Sequence, residues 1–87
     1  MIAEFFGTFI LVLAIILSGQ PLYIAAGFLA AITIAGGVSG GHLNPAVSLS
    51  MMVSGDMSPM KTGQYIIAQV AGALTALAVS KTLSRKS

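Results

Sequence analysis

Charge is almost absent from this sequence. The 87 residues hold four Lys and Arg against two Asp and Glu. Charged side chains make up 7% of the chain, where a soluble domain carries about 25%. So few charges cannot give a water-facing surface to a chain that is 56% hydrophobic, with a mean hydropathy of +0.98. An ordinary soluble domain is excluded, and so is disorder. The solvent for most of this chain is lipid. The basic residues are too few for a nucleic-acid footprint, and the absence of Cys removes disulfide and thiolate chemistry.

Length bounds the architecture. Three membrane-spanning helices of about 20 residues each leave some 27 for the ends and connections, and four would leave almost nothing. A transmembrane barrel requires apolar and polar residues to alternate, and residues 9–17 do not alternate. The expected fold is an all-α integral membrane domain over residues 1–87. The first apolar run lacks a basic leader and a clear small-residue cleavage site, so it reads as a mature helix rather than a signal peptide.

The first span is expected over residues 2–17, with Glu4 its only charge. Ser18-Gly19-Gln20-Pro21 marks a turn, and Pro21 suits the first turn of the following helix. A second, uncharged span is expected over residues 22–36. Within it Gly27, Ala31 and Ala35 share a face that lets helices approach closely in lipid. A third is expected over residues 64–83, with a similar stripe of Ala68, Gly72, Ala76 and Ser80. Residues 54–63 read as a polar bridge. Met51, Met52, Met57 and Met60 read as lipid-facing or packing filler. The basic tail with Lys81, Arg85 and Lys86 reads as an interfacial anchor.

The stretch between the second and third spans carries the chemistry. Four of the ten residues 36–45 are glycine, which argues against continuing the helix through them. Asn44-Pro45 then spells a helix start, a good N-cap before a good first helical residue. The apolar run 46–53 rises only about 12 Å, less than half of the ~30 Å hydrocarbon core. Irregular backbone at membrane depth is tolerated only against protein or a water-filled cavity. Residues 37–54 therefore read as a re-entrant loop and half-helix beside water, with the positive end of the helix dipole facing the cavity.

Ser39-Gly40-Gly41-His42-Leu43-Asn44-Pro45-Ala46-Val47 resembles the first signature of the aquaporin and glycerol-facilitator family. Ala3-Glu4-Phe5-Phe6-Gly7-Thr8 resembles its first-helix signature. Tyr65-Ile66-Ile67-Ala68-Gln69, with Gly72 and Ala73, resembles its third-helix pattern. The resemblance covers residues 2–80 in the family's order. Members of that family carry two such halves in inverted orientation, and this chain has one.

The resemblance implies a channel subunit for water or small uncharged solutes such as glycerol, with no cofactor and no catalysis. It implies that the Asn44 amide donates a hydrogen bond to the permeating molecule, and that the carbonyls of Gly40, Gly41 and His42 accept from it. Pro45 and Ala46 form the half-helix tip. Glu4 becomes a buried support accepting N–H groups from the re-entrant loop, and Gln69 braces the same loop. Read from the residues alone, Glu4 is also compatible with interfacial exposure or a proton relay, and His42 with pH sensing. The family's constriction maps onto Ile24, Ile32, Gly41 and Val47, an apolar set without Arg.

One half closes no pore alone, so the expected assembly is an inverted, dual-topology homodimer in the plasma (inner) membrane. The family's orientation puts Lys81, Arg85 and Lys86 outside against Lys61 inside, a weak bias against the positive-inside rule. A weak bias is what a chain inserting both ways would show. Two other readings stand beside it. One is a holin-like membrane-permeabilising protein, which has no need of residues 39–47. The other is a non-functional fragment, or a half that needs a separate partner.

Overall fold

The computed structural model describes residues 1–86 and is helical almost throughout. Helix α1 spans Ile2–Ser18, α2 Pro21–Ser39, α3 Pro45–Val53 and α4 Pro59–Lys86. Apolar sequence in lipid favours helix because every backbone N–H and C=O is then paired within its own segment. α1 ends where Gly19 turns left-handed and donates to the Ile15 carbonyl at 3.0 Å. Pro21 opens α2, as its fixed backbone angle favours.

Two helices, Pro21–Ser39 and Pro59–Ser84, are long and apolar enough to cross a membrane. α1, with 17 residues, rises about 25 Å, a little short of the ~30 Å hydrocarbon core. α3, with nine residues, covers about half that distance. Large apolar side chains point outward, with Leu22, Val38, Val53 and Met60 all more than three-quarters exposed. Water would penalise that arrangement. Lipid, as apolar as the side chains, does not. This is an integral membrane protein.

Small residues hold the helices together. α1 lies against both α2 and α4, and α3 against α4. Ala31 and Ala35 are fully buried under α1, and a methyl group on Gly27 would come 2.5 Å from the Ala14 Cβ. On α4, Ala68, Gly72, Ala76 and Ser80 are all buried. A methyl group on Gly72 would collide with the Phe5 carbonyl, so the two backbones touch there.

Two boundaries differ from the sequence expectation. α2 does not stop at Gly36 but runs on to Ser39, ending at Gly40 with φ +88°. Glycine's entropic cost of about 1 kcal/mol is smaller than that of stranding backbone groups at membrane depth. Likewise α4 begins at Pro59 rather than residue 64. Ser58 supplies its cap, accepting from the Lys61 N–H at 3.2 Å. Ser87 and the side chains of Arg85 and Lys86, on which the anchor reading rests, lie outside the described residues.

Candidate functional site

The chain leaves α2 at Gly40 and re-enters helix at Pro45. In between, Gly40, Gly41 and Leu43 all take positive φ, +88°, +64° and +57°. Leu43 is the surprising member, because a Cβ makes this conformation costly. Its burial at 3% exposure and its bond to Glu4 hold it there.

Glu4 organises this loop from beneath. Its carboxylate has no solvent exposure and accepts four hydrogen bonds. The Leu43 N–H donates at 2.9 Å and the His42 N–H at 3.2 Å. Gln69 Nε2 donates at 2.8 Å, and the Ser39 hydroxyl donates to the second oxygen. A buried carboxylate is tolerated only when so fully paired. Gln69 Nε2 also donates to Ser48 Oγ at 2.9 Å, and Ser48 Oγ lies 3.0 Å from His42 Nδ1. The Tyr65 hydroxyl donates to the Ser39 carbonyl at 2.7 Å, and its ring sits 4.9 Å from the imidazole.

Asn44 caps α3 by accepting the Ala46 N–H on Oδ1 at 2.8 Å. Its amide NH₂ has no partner among the described residues, and neither have the carbonyls of Gly40 and Gly41. A cavity of about 540 Å³ is lined by Ile24, Phe28, His42, Asn44 and Val47 among others. Ile24 and Val47 thus line the same cavity, whereas Ile32 is not among its lining residues. Ile32 lies beside Gly41, where a methyl group would come 3.7 Å from its Cγ1. Pro45 lines a second cavity of about 280 Å³, with Asn44 and Gln69. Ala46 is exposed on the outer side of the tip. A third, of about 190 Å³, is lined by Ser39, His42, Met51, Asp56, Met57, Lys61 and Tyr65.

Sequence reasoning assigned no role to Ser39, Ser48 or Tyr65, all three of which contact the loop or its supports. Ser48 stands four residues after Asn44, one turn along α3 on the same face. That spacing was the available signal.

The arrangement matches known proteins along its full length. The family model described as major intrinsic protein matches residues 1–87. The chain is 41% identical over 90 residues to glycerol uptake facilitator protein-like 6 of Lactiplantibacillus plantarum, covering 93% of this chain and 42% of that protein. It is 44% identical over 92 residues to aquaporin Z of Brucella melitensis, covering 88% and 40%. Human aquaporin-9 is 41% identical over 92 residues, covering 88% and 31%. The chain therefore spans less than half the length of these relatives. No solved structure matches it at the same stringency. The chain belongs to the major intrinsic protein family, whose members are channels rather than enzymes.

Proposed function

We propose that this chain is one half of a transmembrane channel for water and small uncharged solutes such as glycerol, completed by a second copy inserted the other way up. α1, α2 and α4 cross the bilayer of the plasma (inner) membrane, and residues 40–54 enter and return as a re-entrant loop and half-helix. One observation carries the reading. At the tip of a nine-residue helix, the Asn44 amide spends its oxygen on the cap and leaves its NH₂ free on a cavity that is apolar apart from His42.

In this reading a solute oxygen accepts from Asn44 while its hydroxyls donate to the Gly40, Gly41 and His42 carbonyls. Glu4 and Gln69 hold the loop. Pro45 and Ala46 form the tip that meets its inverted counterpart. Ile24 and Val47, with Ile32 from the inverted copy, make an apolar constriction without Arg. It passes small neutral solutes as well as water. The paired helix dipoles oppose cations and protons. The named activities of the relatives, glycerol uptake facilitator and aquaporin, support this solute class.

Stopped-flow shrinkage of liposomes holding only the purified chain tests the proposal, with Asn44→Asp alongside. Rapid water and glycerol flux, lost in Asn44→Asp and without ion leak, is the expected result. Silence from well-folded protein would mean that the second half comes from a different polypeptide segment. A leak of ions and dye would favour a holin-like lesion. A C-terminal reporter found on only one side of the membrane would sink the dual-topology pairing.

A further inference from the structure

We infer that Ser48 locks the His42 imidazole in its Nε2–H form, making it a second fixed hydrogen-bond donor on the solute path beside Asn44. The inference rests on the channel reading for its consequence, but not for its geometry.

The direction of each hydrogen bond follows from donor chemistry. Gln69 Nε2 lies 2.8 Å from a Glu4 oxygen. Glu4 is surrounded by donors, so the Gln69 atom facing it is the NH₂ and not the amide oxygen. The second hydrogen of that NH₂ points at Ser48 Oγ, 2.9 Å away. Ser48 therefore accepts from Gln69 and has one hydrogen left to donate. Its side chain is fully buried, so that hydrogen needs an acceptor inside the protein.

Other helical serines here donate to the carbonyl four residues back, as Ser50 does to Ala46 at 2.8 Å and Ser18 to Ala14 at 2.6 Å. Ser48 makes no such bond, and His42 Nδ1 stands 3.0 Å from its oxygen. Ser48 donates there. Nδ1 is then the acceptor, and the ring proton of the neutral imidazole sits on Nε2.

Nε2 has no hydrogen-bond partner among the described residues and is not sealed from the surface. His42 lines both the 540 Å³ cavity with Asn44 and the 190 Å³ cavity with Asp56 and Lys61. It is the shared wall between them. The Tyr65 ring steadies the imidazole from the side. A solute crossing between the cavities meets an N–H at His42 and another N–H at Asn44. Both ask for an oxygen acceptor, and a proton arriving at Nε2 finds no lone pair to bind. Ser48 is a positioning residue in this scheme.

His42 is the only histidine, so ¹⁵N-histidine labelling of the chain in nanodiscs gives a single imidazole to observe. At alkaline pH, where a free imidazole is neutral, Nε2 is expected as the protonated nitrogen and Nδ1 as the bare one. Ser48→Thr keeps that pattern and the water flux. Ser48→Ala replaces it with a mixture of the two neutral forms, and flux falls severalfold. A protonated Nδ1 in the unaltered chain overturns the inference, as does an unchanged spectrum in Ser48→Ala. If Ser48→Ala does not fold, the unaltered and Thr spectra decide alone. The expected spectrum in a well-folded chain without flux upholds the hydrogen-bond assignment and defeats the pairing of two copies of this chain.

Discussion

The two faces of the loop 40–44 treat the same backbone in opposite ways. Toward the interior, the N–H groups of His42 and Leu43 are both spent on Glu4. By contrast, the carbonyls of Gly40 and Gly41, and the NH₂ of Asn44 on the large cavity, find no partner among the described residues. The loop spends its backbone donors on side chains within the protein and leaves backbone acceptors unspent. Glu4 draws the His42 and Leu43 N–H groups to one side, and their planar peptides then turn the Gly41 and His42 carbonyls the other way; the Gly41 N–H, donating to Ser39 Oγ at 3.2 Å, sets the Gly40 carbonyl. In the proposed channel, the backbone polarity offered to a solute is thus set from inside the protein, chiefly by the buried Glu4.

Breaking the inward face should have the largest effect. Glu4→Ala strands the Leu43 and His42 N–H groups and the Gln69 amide together. A buried donor left unpaired costs about 1–3 kcal/mol. A loss of at least ~3 kcal/mol is expected in reversible unfolding in mixed micelles, with no flux from what remains folded. Gly72→Ala comes next. Its methyl meets the Phe5 carbonyl and pushes α1, which carries Glu4, away from α4, which carries Gln69. About 1–3 kcal/mol of overpacking should appear in the same assay, and Gly63→Ala, where a methyl meets nothing, serves as its control.

The outward face should respond differently. Asn44→Ala removes the cap, worth about 1 kcal/mol, yet its effect on water flux should far exceed that of a cap lost elsewhere, such as Ser58→Ala. Equal effects of the two on flux would erase the distinction between the faces. Val47→Arg is the mildest for stability, within about 0.5 kcal/mol at a partly exposed position. It should nonetheless narrow the large cavity and reduce glycerol passage more than water passage. Unchanged glycerol flux would remove Val47 from the constriction.

Much of this was legible in residue order. Asn44-Pro45 announces its own helix start, and the stripes at Gly27, Ala31, Ala35 and at Ala68, Gly72, Ala76, Ser80 mark the faces that pack. The start of α4 was missed, although Ser58-Pro59 repeats the same cap-then-proline signature, because its polar neighbours read as a bridge. The run of α2 through Gly36 and Gly37 was not legible. Propensities measured in water understate how strongly hydrocarbon demands paired backbone. Nor was Ser48. In sequence it is one of several serines, and only the fold brings Gln69 and His42 to the same hydroxyl.

The position of Glu4 also has a consequence for how the chain is made. Its partners lie 35, 38, 39 and 65 residues further along. While the ribosome is still building α2, the α1 carboxylate has nothing to pair with, and hydrocarbon is a costly place for it to wait. In the proposed topology α1 therefore waits at a wet site, the insertion machinery or the headgroup layer, until the loop emerges. It becomes fully seated only once α4 delivers Gln69. Of the four described helices, the earliest in the chain is in this sense among the last to settle.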